Sequence, residues 1–396
     1  MVQATFEFSP LATASAHLLN PVGSGQHAAH PALAAHPASA DRLDTVGFEI
    51  GWDHAHHRIT PPLGHLHQPN PVHQGWLAGR AAFGARTLAP GAAHRQWLAL
   101  RLQAWQQGVA FEGVQVNPAF LARIDAVHCP VSRQVLTLAA GLPTDATVAR
   151  LNPAAAYAAG NLVVLSQRVA GSPSAAAAAT AGPALGDAET ARLAVLRSFA
   201  TPLPHAQAAL LPLRVLPPNR VRVINPVQAL QVMLTLQFLQ AGYARRLLGL
   251  AVLMPGAEAR QAFQIFMHTL LARRLSAGQG ATQADLRQAL EDSWADVLVV
   301  RRWQRLASRL TPADCERLLQ RAGQRGLVVG GSRWVSRDCA TEGWALAADP
   351  PASGNATAPA RAALAGDQSV AGAGEAAAAA ARPCIAINLG SQKLTS

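Results

Sequence analysis

Cysteine is scarce in this chain, and its few copies are far apart. They are Cys129, Cys315, Cys339 and Cys384, and no two of them form a Cys-x-x-Cys pair. This spacing excludes a disulfide framework and a zinc knuckle, and it is typical of a protein from a reducing compartment. We therefore expect each cysteine to be a small buried residue and the protein to be cytoplasmic.

Lysine is nearly absent as well, because Lys393 is the only one in 396 residues. The formal net charge is nevertheless +11, so arginine carries almost all of the positive charge, although only 14% of the residues are charged. Part of this positive charge reflects an overall amino-acid composition, rich also in alanine, glycine and proline, that a GC-rich coding sequence produces. Arginine pairs bidentately with phosphate, and the charge therefore leaves DNA open as a partner.

The chain lacks an uninterrupted apolar run of membrane-spanning length. Its longest apolar stretch, 229–254, is broken by three glutamines and by the pair Arg245-Arg246. Charged side chains are unfavourable within a bilayer, so this stretch predicts a buried helical hairpin and no membrane partner. The N-terminus has no basic region and is broken by prolines, which does not fit a secretory signal.

Hydrophobic residues make up 50% of the sequence, which is enough for a large core. A leader rich in alanine, histidine and proline covers 1–44, and an alanine-rich tail that we expect to be disordered covers 348–396. Between them we expect one domain at 45–174 and a helical domain at 188–347, joined by a linker at 175–187. The predicted fold class is α+β, predominantly α.

Apolar residues at helical spacing run through the second half of the chain. Two helix starts carry capping signals, because Asp285 follows Thr282 and Asp314 follows Thr311. The predicted helices of the helical domain are 188–199, 227–239, 258–275, 283–294, 297–310 and 313–325. Two further helices are predicted in the first half, at 94–107 and, after the cap Asn117, at 118–124.

The segment 128–174 is the place where turn residues, short β-type runs and polar groups follow each other in an order that suggests a site. Apolar runs at 135–138 and 146–148 predict a β-hairpin. Asn152-Pro153 is a turn signal, and the run 162–165 after it ends a strand or begins a helix. Two short strands and a helix make a small ββα module.

Three motifs in this segment resemble the HNH-type endonuclease-like modules of bacteria and phages, which belong to the ββα-metal superfamily. They are Cys-Pro-Val-Ser-Arg at 129–133, Asp-Ala-Thr-Val-x-Arg-Leu-Asn at 145–152, and Tyr-x-x-Gly-Asn-Leu-Val-Val-Leu-Ser-x-Arg at 157–168. The resemblance covers roughly a tenth of the chain. It implies three positions that bind metal, act as base or pin the loop, and these positions hold Ala149, Asn161 and Ala170.

Alanine at two of these positions removes most of the expected chemistry, because metal-assisted phosphodiester hydrolysis needs oxygen or nitrogen ligands and a base for the water. The resembled modules are often braced by paired cysteines on zinc, whereas Cys129 stands alone, and Pro173 stands where a lysine is common. We therefore expect a catalytically degenerate module that needs no cofactor. Its expected role is to bind nucleic acid or a protein, with Asn161 and Tyr157 holding its loop.

An active endonuclease that uses Mg²⁺ or Mn²⁺ through relocated ligands is the first alternative. Its candidate catalytic residues are Asp145, His128 and Asn161, with the histidines at 54–57 as a further source of ligands. Asp145 replaces Ala149 only if the alignment of the motif slips. On a strand, a slip by an odd number of residues would move the side chain to the opposite face.

A metal-binding protein is the second alternative. His54, His56 and His57 are its candidate ligands, because imidazoles that project together from an extended segment bind zinc, nickel or copper. The segment has neither zinc-ligand spacing nor a helical His-Glu-x-x-His, and prolines interrupt it. A solvated loop with surface histidines is the other interpretation.

Arginines are the candidate contacts for nucleic acid. Arg150 and Arg168 belong to the module. Arg301, Arg305 and Arg309 recur at every fourth position of a predicted helix that also contains Trp303, and this arginine stripe suits a phosphate backbone. The other interpretation is a solvated face that is neutralised by the nearby carboxylates, which are Asp292, Asp296, Asp314 and Glu316.

Overall fold

The computed structural model describes residues 37–171, 185–276, 278, 281–328, 332–346 and 383–387. Over these residues the protein is predominantly helical with a few short strands, as predicted. By its backbone contacts the chain divides after Arg42. The first unit is described only over residues 37–42, which begin a helix, and the features below belong to the second unit, Leu43–Ser396.

Four α-helices precede the first strand of the described chain. They are α1 (Pro37–His56), α2 (Pro71–Phe83), α3 (Ala92–Gln106) and α4 (Pro118–Ile124), with a 3₁₀ turn at Leu63–His65. The side chains of Asn70 and Asn117 cap α2 and α4, and proline is the first residue of both helices.

Helix α1 departs from the prediction. It includes residues 37–44 of the expected leader, and it continues through His54 and His56, which were expected in an extended or looped segment. The remaining leader residues, 1–36, lie outside the described residues. The prolines that signalled a loop fall after α1, at positions 61 and 62, so they end the helix region without interrupting it.

Helices α1 and α2 meet backbone to backbone at glycines. A Cβ atom added to Gly75 would lie 2.9 Å from Phe48 Cα and closer still to the Phe48 carbonyl oxygen. A Cβ atom added to Gly51 would lie 2.7 Å from the backbone nitrogen of Trp76. Protein interiors are close-packed, so this contact has no space for a side chain at either position.

Strands β1 (Ala146–Arg150) and β2 (Leu162–Ser166) form an antiparallel pair, and α5 (Gln167–Ala170) follows β2 directly. The register pairs Ala146 with Ser166 and Arg150 with Leu162. The order of two strands and a short helix is therefore present, and the run 162–165 is a strand.

The strand that pairs with β1 is not the predicted one. Residues 135–138 contribute only isolated bridges, such as the one between Val135 and His128. Val135 is 58% and Leu138 is 77% exposed, whereas all five residues of β2 are buried. A strand that is apolar on both faces takes the interior position, and this explains the different pairing.

The hairpin lies between two hydrophobic cores. Leu162 and Val164 pack with Phe120 and other side chains of α3 and α4. Val163 and Leu165 pack into the larger core of the second half of the chain. Successive side chains of a strand point to opposite faces, so β2 is covered on both sides.

The six predicted helices of the second half are present, each within three residues of its predicted ends. The capping boxes of Thr282 with Asp285 and of Thr311 with Asp314 are formed. The helices in this half are α6 (Asp187–Ala200), α7 (His205–Leu210), α8 (Pro226–Gln237), α9 (Tyr243–Leu253), α10 (Gly256–Ser276), α11 (Gln283–Ser293), α12 (Val297–Ala307), α13 (Pro312–Gln324) and α14 (Arg337–Ala340).

Helix α8 is buried from Val227 to Gln237. The amide nitrogens of its buried glutamines find acceptors inside the core, since Gln228 donates to the Ser198 hydroxyl and Gln231 donates to a backbone carbonyl. Helix α9 is only partly buried, because Leu248 is 72% exposed. The buried hairpin expected at 229–254 therefore holds for α8 and only for one face of α9. No described helix combines the length and the apolar character that a bilayer crossing requires.

A second sheet contains β3 (Arg222–Val223), β4 (Ser332–Ser336) and β5 (Pro383–Ile387), with β5 in the middle and antiparallel to both neighbours. The tail that was expected to be disordered thus contributes a strand at residues 383–387. Its other residues, 348–382 and 388–396, lie outside the described residues.

Hydrogen-bonded ion pairs connect the hairpin region to the helical half. Arg133 contacts Glu291 of α11, and Arg168 pairs with Glu189 of α6. The large core also contains side chains from both regions, so the residues from Leu43 onward form one compact unit. The predicted linker, 175–187, is described only from residue 185.

Candidate functional site

Asp145 precedes β1 and holds the loop in front of this strand. Each carboxylate oxygen accepts two hydrogen bonds, at 2.5 to 3.2 Å, from the Thr137 hydroxyl and from the backbone N–H groups of Ala140, Gly141 and Leu142. The Thr137 hydroxyl is the largest cause that lowers the pKa of Asp145, and the three N–H groups act in the same direction. Both oxygens are therefore used within the loop.

We expect Asp145→Asn to loosen the loop at 137–142 without unfolding the protein. A carboxylate whose pKa is lowered by folding stabilises the folded state above its unfolded pKa, and this contribution is lost as the pH falls through the folded value. Hydrogen exchange followed by mass spectrometry is expected to show faster exchange of residues 140–142 in the variant at pH 7. The wild type is expected to show the same change only below about pH 4. Equal exchange in both proteins at pH 7 would contradict this role of Asp145.

Asn161 is fully buried and holds the turn that connects β1 to β2. Its side-chain oxygen accepts from the Asn152 backbone N–H at 2.8 Å, and its amide donates to the carbonyl oxygens of Asn152 and Ala156, each at 3.0 Å. Gly160, with φ of +91°, permits the backbone conformation that brings Asn161 into this position. Tyr157 packs in the core beside the hairpin and donates to Gln107.

Asp145 and Asn161 lie at opposite ends of the hairpin. Asn161 is opposite Leu151, whose backbone N–H it accepts, whereas Asp145 comes just before the first residue of β1. Six residues of strand separate the two positions by about 20 Å. Metal–ligand distances are about 2.0–2.6 Å, so these two side chains do not share one ion.

The remaining positions of the module contribute no ligand either. Ala149 and Ala170 both pack against the large hydrophobic core. His128 is exposed, and its backbone bridges to Val135. In the parts of the chain that the structure describes, no three histidine, cysteine, aspartate or glutamate side chains converge on a point that suits a metal ion.

Cys129 is buried beside two serines. Burial raises the pKa of its thiol, but hydrogen bonds from the backbone and hydroxyl of Ser132 and from the backbone of Ser166 and Val131 lower it by more, so the net direction is downward. Ser132 stands at the position where a Cys-x-x-Cys pair would have its second cysteine. Cys315 is buried as expected, whereas Cys339 is exposed.

The candidate metal ligands at the end of α1 and directly after it have different surroundings. His54 is buried and its Nδ1 bonds the Ile50 carbonyl oxygen at 2.8 Å. The ring of His56 stacks on Phe83, with 4.4 Å between the centroids. The ring of His57 lies against His94 of α3, at 4.7 Å. The sequence indicated no link between His57, which directly follows α1, and His94, because they are far apart in the chain.

Arg150 and Arg168, the module's candidate contacts for nucleic acid, have partners within the protein. The Arg150 guanidinium donates to the carbonyl oxygens of Pro153 and Ala155, each at 2.8 Å, and lies over the Tyr157 ring. Arg168 forms a bidentate ion pair with the carboxylate of Glu189. A phosphate would have to replace these contacts.

The arginine stripe on α12 is exposed, unlike Arg150 and Arg168. Arg301 and Arg305 are exposed and one helical turn apart, which separates their positions by about 6 Å along the axis. Within the described residues neither guanidinium has an ion-pair or hydrogen-bond partner. Arg309 lies just beyond the helix and contacts Glu258 at 3.5 Å. Trp303, expected near the stripe, is fully buried on the other face and donates to a backbone carbonyl.

Three of the four carboxylates that were expected to neutralise this stripe pair with other groups. Asp292 pairs with Arg133 at 2.6 Å. Asp296 caps α12 and pairs with Arg273 of α10. Asp314 caps α13 and pairs with Arg317. These three carboxylates therefore do not neutralise the positive charge of Arg301 and Arg305.

The structure thus separates the candidate residues into two groups. Asp145 and Asn161 hold loops of the hairpin, whereas Arg301 and Arg305 face solvent on α12. No family model, curated protein or solved structure matches this chain.

Proposed function

We propose that the protein binds nucleic acid through the arginine stripe on α12 and does not hydrolyse it. The supporting observation is that Arg301 and Arg305 are exposed one turn apart while Asp292, Asp296 and Asp314 are paired with other groups. Guanidinium groups bind phosphate oxygens bidentately, so this face suits a sugar–phosphate backbone. Such contacts carry no base specificity, and the expected binding is insensitive to sequence.

Salt dependence tests this proposal. Binding of a 20-base-pair DNA duplex to the full chain is measured by fluorescence anisotropy between 50 and 200 mM NaCl. Each phosphate contact contributes about 0.9 to the slope of log K against log salt. The double variant Arg301→Ala/Arg305→Ala is therefore expected to bind more weakly and to lower the slope by about 2.

A matched control separates the stripe from the overall charge. Arg86 and Arg95 are also exposed and have no partner among the described residues, and they lie in the first half of the chain. Their double alanine variant loses the same charge, and its affinity is expected to stay near that of the wild type. Equal weakening in both variants would contradict a site on α12.

The proposed absence of hydrolysis is supported by the separation of Asp145 and Asn161 and by the alanines at 149 and 170. Incubation of supercoiled plasmid with the protein and Mg²⁺ or Mn²⁺ is expected to leave the plasmid intact. Nicking that is lost in Asp145→Ala would overturn this part of the proposal and favour the endonuclease alternative.

A further inference from the structure

His57 and His94 bring two imidazoles together at the junction of α1 and α3. Their ring centroids are 4.7 Å apart and the ring planes are inclined by 40°. His57 is only 8% exposed, and its Nδ1 is buried with no hydrogen-bond partner in the structure. A buried polar atom without a partner is unusual, and a bound water or ion is one of its ordinary explanations.

The spacing of the two rings suits a shared metal ion. Imidazole nitrogens bind zinc at about 2.0–2.1 Å, and two such ligands at a near-tetrahedral angle have ring centroids roughly 5 Å apart. Metal binds to an unprotonated imidazole nitrogen, and the buried Nδ1 of His57 makes no hydrogen bond in the described part of the chain.

We propose that His57 and His94 together bind one divalent transition-metal ion of the zinc, nickel or copper type, with water in the remaining coordination positions. His57 directly follows α1 and His94 lies at the start of α3, so a bound ion would fasten the end of α1 to the start of α3.

This pair differs from the set of histidines that the sequence singled out. The Nδ1 atom of His54 is already engaged, because it bonds the Ile50 carbonyl oxygen. Asp53, a carboxylate near His57, is paired with Arg101. A site with two protein ligands is consistent with the finding that no three ligating side chains converge in the described chain.

Thermal unfolding of the untagged full chain tests the proposal, with Zn²⁺ or Ni²⁺ added alone. The Tm is expected to rise and to saturate near one equivalent of metal. His94→Gln and His57→Gln are each expected to abolish the rise. His67→Gln removes an exposed histidine outside the pair and is expected to retain it.

Electron paramagnetic resonance of the Cu²⁺ complex provides a second readout that does not depend on stability. Copper binds such ligands more tightly than nickel or zinc, and coupling to the imidazole nitrogens reports how many are bound. Two nitrogens are expected in the wild type and one or none in His94→Gln. His94 is only half-buried at the start of α3, so this variant serves if His57→Gln does not fold. An unchanged spectrum in His94→Gln, or a Tm rise that His67→Gln also removes, would overturn the proposal.

Discussion

Gly75→Ala is expected to lower the free energy of unfolding by about 3 kcal/mol, although alanine is the better helix former. At an exposed helical position the same change would stabilise the helix by about 1 kcal/mol. Here the added methyl group would have to push away the backbone of Phe48, and overpacking against atoms that cannot move costs about 1–3 kcal/mol or more. Urea denaturation followed by far-ultraviolet circular dichroism measures the difference.

Gly64 provides the matched control for this exchange. It lies in the 3₁₀ turn between α1 and α2, and a Cβ atom added there meets nothing within 4 Å. Gly64→Ala is therefore expected to change the stability by no more than about 0.5 kcal/mol. If Gly75→Ala proved as stable as the wild type, α1 and α2 would not be in backbone contact.

Asn161→Ala is expected to cost at least about 3 kcal/mol, for a different physical reason. The substitution leaves the Asn152 N–H and the carbonyl oxygens of Asn152 and Ala156 without their partner in a buried turn. Each buried polar group that loses its partner costs about 1–3 kcal/mol. The midpoint of urea denaturation is expected to fall with little change in the slope.

Asn117→Ala is the corresponding control, because Asn117 is a partly exposed cap with a side chain that accepts one backbone N–H. Loss of such a cap costs about 1 kcal/mol. If Asn161→Ala loses about three times as much unfolding free energy as Asn117→Ala, the hydrogen bonds of Asn161 hold the hairpin turn together. Equal losses would mean that water hydrogen-bonds to the backbone groups of the turn when the Asn161 side chain is removed.

Local patterns in the sequence were enough to predict the helices of the second half. The spacing of apolar residues and the capping residues Thr282 and Thr311 act within one or two turns of chain, so neighbouring residues contain the required information. The cap at Asn117 was predicted for the same reason. The arginine stripe also follows from helical spacing alone, since Arg301 and Arg305 lie four residues apart.

The partner of β1 required knowledge of the whole fold. Residues 135–138 and 162–165 both look like strands, and the sequence offers no local feature that ranks them. The choice depends on which run is covered on both sides by other elements, and only the assembled cores decide this. The histidines at 54–57 were misplaced in a similar way, because the prolines that suggested a loop lie after the helix. Gly51 and Gly47 instead allow α2 and Trp105 to approach α1 closely.

The sequence by itself determined the helical character of the protein, its arginine-borne charge and the alanines at positions 149 and 170, since each of these depends on residue type and short spacing. Only the tertiary structure decided which charges are free, because the partners of Arg168 and Asp296 come from distant parts of the chain. It also decided that Asp145 and Asn161 lie at opposite ends of a hairpin and that His57 meets His94. Contacts between distant residues depend on how the cores assemble, and no local pattern encodes them.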